Sequence, residues 1–154
     1  MKHSLLMILI FISVLISGAS SCNNEDENIN TGNITPMANG KIKITVNSQT
    51  FTATLLDNNS AKAFKEMLPL TINMIELNGN EKYYDMPNSL PTNSSNPGTI
   101  KNGDLMLYGS KTLVLFYKTF STSYSYTKLG SIDDVTGLAS ALGSGNVTVT
   151  FESE

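Results

Sequence analysis

Residues 50–68, TFTATLLDNNSAKAFKEML, change the spacing of their apolar residues partway along the stretch. From Phe51 to Leu55 apolar residues alternate with threonine, which is the pattern of a strand with one buried face. In residues 60–68 the apolar residues, with Phe64 at the centre, recur at the spacing of one helix face. The acidic and amide residues between these two halves favour a turn. The stretch therefore predicts a strand that leads through a tight turn into a short helix.

The flanking sequence continues the strand pattern on both sides. Residues 41–47 (KIKITVN) alternate in the same way and predict the partner strand of a hairpin. Residues 104–118 (DLMLYGSKTLVLFYK) contain two apolar runs around Gly109-Ser110, which predicts a second hairpin. Residues 123–132 and 146–152 supply further strands.

A second helix is predicted over residues 134–142 (DVTGLASAL), where apolar residues again follow helical spacing and Gly143 provides a natural end. Asp133 and Asp134 precede it. Adjacent carboxylates point in different directions, so we expect a helix N-cap here and no catalytic pair. The glycines that follow lack the lysine of a phosphate-binding loop.

These elements, in this order, predict a mainly β fold, a closed barrel of about eight strands with two short helices. Residues 50–68 resemble the opening of a cyclophilin, where a strand ends in an acidic turn and enters a helix with an Ala-x-x-Phe core. Residues 104–118 resemble the hairpin that lines the cyclophilin substrate groove, and residues 129–142 resemble its glycine-containing strand and second helix. The chain is most similar to the compact bacterial cyclophilin-like domains, over residues 41–152.

The resemblance implies a fold whose best-known members catalyse prolyl cis–trans isomerisation. Such catalysis uses an arginine, in a Phe-His-Arg strand after the first helix, that lowers the barrier to rotation near the proline nitrogen. The equivalent stretch here, residues 81–87 (EKYYDMP), has neither histidine nor arginine, and the family's groove tryptophan and histidine are also missing. We therefore expect no catalytic residues and favour a binding module over the alternative, a peptidyl-prolyl isomerase acting on envelope proteins.

The N-terminus has the layout of a secretory signal peptide over residues 1–21: a basic start, an apolar run of roughly twelve residues and small residues before Cys22. A membrane-spanning helix needs about twenty apolar residues, so permanent retention is the weaker alternative. The cysteine after the small residues resembles the lipidation site of bacterial lipoproteins, although Ala19 stands where leucine is usual. Ordinary secretion with a free cysteine is the other alternative.

Residues 22–40 are polar and predict a flexible tether that carries the lipidated Cys22, with the barrel domain over residues 41–154. The acidic run Glu25-Asp26-Glu27 resembles the tag that directs lipoproteins of the Bacteroidetes to the outer face of the outer membrane. A solvated tether explains the same charges. We expect a bacterial envelope protein that contacts the membrane through its lipid.

Composition excludes several kinds of chemistry. The only histidine, His3, lies in the predicted signal peptide, and the one cysteine is the predicted lipid site. No Ser-His-Asp or Cys-His pair and no usual zinc site can be built, so we expect no metal and no cofactor. The thirteen acidic residues exceed the ten basic residues, which argues against a nucleic-acid partner.

Aromatic residues are concentrated in the middle of the chain among serine, threonine and asparagine. Exposed rings beside hydroxyls and amides suit peptide, glycan or small-molecule ligands. The alternative is that aromatics at period two pack into the barrel core. The predicted ligand groove comprises Tyr83, Tyr84, Phe116, Phe120, Tyr124 and Tyr126. A loop rich in Ser and Asn, residues 88–96, is predicted to rim one end of the barrel.

Overall fold

The alternating segments fold as strands of a sheet that closes on itself. The computed structural model describes residues 34–154. The strands are β1 (Pro36–Val46), β2 (Gln49–Leu56), β3 (Leu70–Leu77), β4 (Glu81–Asp85), β5 (Thr99–Ile100), β6 (Asp104–Tyr108), β7 (Thr112–Phe116), β8 (Phe120–Ser121), β9 (Thr127–Ile132) and β10 (Val147–Ser153), and the helices are α1 (Asn59–Glu66) and α2 (Leu138–Leu142). The predicted signal peptide and Cys22 lie outside the described residues.

Eight strands form a closed antiparallel barrel in the order β1-β10-β3-β4-β7-β6-β9-β2. Strands β5 and β8 pair with each other and form a separate two-stranded ribbon. The predicted fold class, a mainly β barrel of about eight strands with two short helices, is confirmed.

Both predicted hairpins are present. Strands β1 and β2 join through a turn in which Asn47 has φ 55°, and β6 and β7 join through a turn in which Gly109 has φ 57°. Asparagine and glycine are the residues that adopt a positive φ at least cost, so the turn residues match the turns they form. Each turn fixes the register of its strand pair.

Helix α1 contributes an aromatic side chain to the barrel interior. The helix begins after Asn58, whose side-chain oxygen accepts a hydrogen bond from the Ala61 backbone N–H at 2.8 Å. Phe64 is fully buried and meets Phe151 of β10 edge-on, with ring centroids 5.6 Å apart. The predicted helix and its core phenylalanine are confirmed, and the change of period in residues 50–68 marks the step from sheet to helix.

The second helix is shorter than predicted and has a different cap. Gly137, with φ 81°, is the N-cap residue of α2, and this left-handed backbone separates residues 134–136 from the helix. Asp134 accepts a hydrogen bond from the Thr136 N–H at 2.9 Å, and Asp133 forms an ion pair with Lys41. The prediction that the two aspartates cap the helix is wrong, whereas the helix ends at Gly143 as expected.

Strand β1 begins at Pro36, ahead of the predicted start of the barrel at Lys41. Pro36 pairs with Leu56 of β2, and the pairing then shifts at a bulge before Lys41. Met37 packs against the interior core, which explains why a segment with Pro, Asn and Gly joins the sheet. The last residues of the predicted tether are therefore part of the barrel.

The barrel wall has apolar residues on both faces in one region. Inward residues of all eight strands form the interior core. A second cluster lies on the outer face of β6 and β7, covered by the β5–β8 ribbon. Its buried members are Ile100, Met106, Val114, Phe116 and Tyr126. This outer cluster supports the candidate site.

Candidate ligand groove

Strand β4 separates interior residues from outer residues by simple alternation. Lys82 and Tyr84 face the interior, and Tyr84 packs against the interior core. Glu81, Tyr83 and Asp85 occupy the intervening positions and therefore face outward. The outward residues of this short strand form one side of a groove on the barrel surface.

The groove has a volume of about 600 Å³ and is here called the outer groove. Outward residues of β4, β6 and β7 line it, together with the segment of residues 120–126. Its aromatic side chains are Tyr83, Tyr108, Phe120, Tyr124 and Tyr126. The volume is within the usual range for sites that bind small ligands.

Two of the tyrosines expose much of their surface to solvent. Tyr124 is 62% exposed and Tyr108 is 49% exposed. The two rings meet edge-on with centroids 6.2 Å apart, and Tyr108 also lies 5.6 Å from the ring of Tyr126. Contacts of this kind hold the rings in a defined orientation while leaving their faces open to a ligand.

Buried rings support the exposed ones. Phe116 of β7 is fully buried, with its ring 5.7 Å from Phe120 and 5.5 Å from Tyr126. Tyr126 is itself 92% buried, as its exposed fraction is 8%. Its pKa is raised above the usual value for tyrosine, first by burial and then by the charge of Glu81, while a hydrogen bond with Thr122 opposes the shift.

The structure brings together four of the six residues predicted for the groove. Tyr83, Phe120, Tyr124 and Tyr126 line it. Phe116 lies beneath it in the outer cluster. Tyr84 faces the opposite side of β4 and packs against the interior core.

Tyr108 lines the groove and was missing from the predicted set. It is the last residue of β6, at an outward position directly before the turn at Gly109. Alternation along residues 104–108 places it on the same face as Met106 of the outer cluster. That alternation was the sequence feature from which the outward position of Tyr108 could have been predicted.

The outer groove contains acidic but no basic side chains. Glu81 and Asp85 line it, and none of the lining residues is a lysine or histidine. Asp85 accepts a hydrogen bond from the Thr112 hydroxyl at 2.6 Å. The pKa of Glu81 is raised, first by burial and then by repulsion from the Glu76 carboxylate. The groove therefore has two acidic side chains and no basic side chain among its lining residues.

A buried ionic network lies behind β4, on the interior side. Lys82 is fully buried and forms an ion pair with Glu76 of β3. Its ammonium also donates to the backbone carbonyls of Gly143 and Gly145, each at 2.7 Å. All three of its protons can therefore be used, as burial of an ammonium requires. The network ties the loop after α2 to β4.

Glu76 has three donors in this network. Besides Lys82, the Tyr117 hydroxyl donates at 2.8 Å and the Gly79 N–H donates at 2.7 Å. Burial alone would raise the pKa of Glu76, but these hydrogen bonds and the Lys82 charge hold it below its usual value. Burial and the bond to Glu76 raise the pKa of Tyr117 to about 12. Sequence reasoning missed this network because Tyr117, Gly143 and Gly145 are distant along the chain from Glu76 and Lys82.

A second cavity, of about 590 Å³, shares Tyr126 with the outer groove as a lining residue. Residues of the predicted rim loop border it, since Ser95 pairs with Tyr126 and the Asn93 N–H donates to the Thr127 hydroxyl at 3.0 Å. Here an acidic side chain, Asp104, has a basic partner, because Lys128 pairs with it at 2.8 Å. This cavity therefore lacks the unbalanced negative charge of the outer groove.

The outer groove can stack rings on a ligand and hydrogen-bond to it. Within residues 34–154 no group of three or more His, Cys, Asp or Glu residues could hold a metal ion. Among the same residues no helix is both long and apolar enough to cross a membrane. The only lysine on β4 faces the interior, so no cationic side chain of that strand enters the groove.

Comparisons with known proteins agree with this architecture. The solution structure of a hypothetical protein from Archaeoglobus fulgidus superposes with a TM-score of 0.56 at 15% identity, covering 74% of this chain and 94% of that one. This likeness shows a shared fold. A search of curated proteins found no match. The family model described as the cyclophilin-like family matches residues 44–152, from the end of β1 to β10 and including the outer groove, and the chain therefore belongs to the cyclophilin-like family.

Proposed function

We propose that this is a lipid-anchored bacterial envelope protein whose cyclophilin-like domain binds a peptide or small ligand in the outer groove, without prolyl isomerase activity. The observation that carries the binding function is the groove itself, in which half-exposed tyrosines lie beside carboxylates, amides and hydroxyls. Rings of this kind provide contact area, and the polar groups provide orientation.

The open rings are positioned by a dedicated structure. The β5–β8 ribbon adds nothing to closure of the barrel, because β5 and β8 pair only with each other. It covers the outer cluster, and residues 120–126 continue from it along the groove. A part of the chain thus serves to build the groove, which supports a binding role over a purely structural one.

The groove lacks the electrophile that prolyl isomerisation requires. A twisting X-Pro amide is stabilised by a donor such as arginine near the proline nitrogen. No arginine occurs in the sequence, and Lys82, the lysine of residues 81–87, is buried on the interior side of β4. The outer groove offers tyrosine and hydroxyl donors beside carboxylates, which suit binding better than this catalysis.

The anchor is proposed from residues outside the described part of the chain. Cys22 follows an apolar segment and small residues and precedes a polar, acidic stretch. Cys22→Ser should release the protein from the membrane fraction, because the acyl chains would have no attachment site. Fractionation followed by immunoblotting measures this release. If the variant stays in the membrane fraction as fully as the parent protein, an uncleaved N-terminal helix is the anchor instead.

Binding in the groove is tested by titrating the purified ¹⁵N-labelled protein with a panel of neutral, cationic, anionic and proline-containing pentapeptides. We expect amide shifts to concentrate at Tyr83, Tyr108 and residues 120–126 for at least one peptide. Tyr124→Ala should weaken that response, whereas Thr148→Ala, on the exposed side of β10, should not. Shifts that fall elsewhere, or responses equal in both variants, would refute the groove.

A protease-coupled assay on an Ala-Pro peptide tests the isomerase alternative. We expect the rate to equal the uncatalysed rate. Catalysis that is lost in Tyr83→Ala would contradict the proposal and establish an isomerase in the same groove.

A further inference from the structure

The charge of the outer groove is unbalanced in one direction. Glu81 and Asp85 line it, and every other lining residue is neutral. Of the ten acidic side chains in residues 34–154, five have a lysine partner within ion-pair distance, and Glu81 and Asp85 are among the five that have none. The groove therefore carries two negative charges that the described part of the chain does not neutralise.

These two carboxylates flank a tyrosine ring. Glu81, Tyr83 and Asp85 are alternate residues of β4, so successive side chains emerge about 7 Å apart on the same face. The Thr112 hydroxyl, at 2.6 Å, orients the Asp85 carboxylate. The strand thus presents acid, ring and acid in a row along the groove.

This arrangement matches the chemistry of an organic cation. A guanidinium or ammonium group gains attraction from the face of a tyrosine ring and from a carboxylate at the same time. Tyr108 and Tyr124 add two more rings with open faces. A neutral glycan or peptide can donate hydrogen bonds to the same carboxylates, but only a cation also neutralises their charge.

We propose that the outer groove binds a peptide segment that inserts an arginine or lysine side chain between the β4 carboxylates and the tyrosine rings. The inference deepens the proposed function and rests on it. A guanidinium or ammonium group alone would fill only part of the groove volume of about 600 Å³, and the exposed amide of Asn78, near Glu81, suits the backbone of such a segment.

Matched peptides test the charge requirement directly. The probes are Ac-Ala-Ala-Xaa-Ala-Ala-NH₂ with Xaa as arginine, lysine, citrulline or glutamate, titrated into the purified protein at low salt. Citrulline has nearly the shape of arginine without its charge. We expect the arginine and lysine peptides to bind at least tenfold more tightly than the citrulline peptide, and the advantage to shrink in 0.5 M salt.

Variants locate the charge that is recognised. Glu81→Gln and Asp85→Asn should each reduce affinity for the arginine peptide at least fivefold and leave the citrulline peptide nearly unchanged. The control is Glu66→Gln, which removes a carboxylate from α1, outside the groove. It should leave both affinities unchanged, and a cooperative melting transition at or above the parent's melting temperature for each groove variant excludes loss of fold as the cause.

The outcomes separate this inference from the proposed function. If the arginine and citrulline peptides bind the groove equally well, the preference for a cationic side chain is refuted, but the groove remains a binding site. Preference for the glutamate peptide would do the same. If acetyl-arginine-amide binds as tightly as the arginine pentapeptide, recognition of a peptide segment is refuted and recognition of the cationic side chain stands. Failure of every peptide to shift groove residues would overturn both proposals.

Discussion

At the scale of the residue, Glu81 occupies a position where its charge reduces stability. Burial raises its pKa, and the nearby charge of Glu76 raises it further. Burial is the main cause of the raised pKa values of Tyr117 and Tyr126, and the charge of Glu81 adds to both shifts. A carboxyl whose pKa is higher in the folded state favours folding when protonated, and that advantage is lost as pH rises through the folded pKa.

Glu81→Gln should therefore raise the melting temperature at pH 7, because the neutral amide avoids the cost of ionising a partly buried carboxyl. The increase should disappear as pH falls below about 4.3, the ordinary pKa of glutamate, where the parent side chain is also neutral. Thermal melts of both proteins from pH 3 to pH 8 measure the difference. A lower melting temperature for the variant at pH 7 would show that the carboxylate has a structural role.

The aromatic residues of the site should divide into two classes by stability. Tyr124→Ala should cost less than about 1.5 kcal/mol, since the ring is 62% exposed and loses mainly its edge-on contact with Tyr108. Phe116→Ala should cost about 3–5 kcal/mol because the ring is fully buried. Urea denaturation of the two variants measures the costs. The opposite order would show that Tyr124 belongs to a core.

At the scale of the element, Phe64 is the largest side chain by which α1 packs into the barrel, next to the buried Ala61. Phe64→Ala removes the edge-on contact with Phe151 and leaves a cavity in the interior core, so it should cost about 3–5 kcal/mol. The free energy of unfolding of a small domain is about 5–15 kcal/mol in total, so the variant should be close to unfolding. Calorimetry measures the loss, with Lys62→Ala on the exposed side of the helix as the control. A melting temperature close to that of the parent would contradict this packing.

The loop after α2 is held to the sheet by Lys82. Lys82→Met should cost about 3–5 kcal/mol, because it leaves Glu76 without its cation and two carbonyls without their donor. Lys41→Met is the matched control. Its ion pair with Asp133 is solvent-exposed, and its removal should cost less than about 1 kcal/mol.

Denaturation curves of these two lysine variants measure the contrast. Backbone amide exchange gives a second readout, in which Lys82→Met should increase exchange near Gly143 and Gly145. Equal costs for the two lysines would mean that the buried network contributes no more than a surface ion pair.

At the scale of the whole molecule, the barrel and the groove use opposite faces of the same strands. Interior residues of β4, β6 and β7 close the barrel core, and outer residues of those strands carry the groove and the outer cluster. The protein from Archaeoglobus fulgidus shares the fold at 15% identity. A barrel that tolerates so much sequence change leaves its outer face free to specialise for a ligand.

Local sequence determined the parts of this protein that depend on near neighbours. The two hairpins, helix α1 and its buried Phe64, and the end of α2 at Gly143 were all predictable from period and turn chemistry. The apolar residues of a strand recur about every two residues and those of a helix about every 3.6 residues. Both spacings can be recognised within about ten residues of sequence, so no tertiary information was needed. The order of those elements was enough to indicate the barrel.

Tertiary structure decided which side of each strand became the site. Alternation places Tyr83 and Tyr84 on opposite faces of β4, but it does not say which face is inside when both faces carry rings. Closure of the barrel made Tyr84 a core residue and Tyr83 a groove residue, and the β5–β8 ribbon made Phe116 a support. The Lys82 ammonium donates hydrogen bonds to the carbonyls of Gly143 and Gly145, more than sixty residues away along the chain. Such contacts depend on the closed chain path, which no local pattern contains.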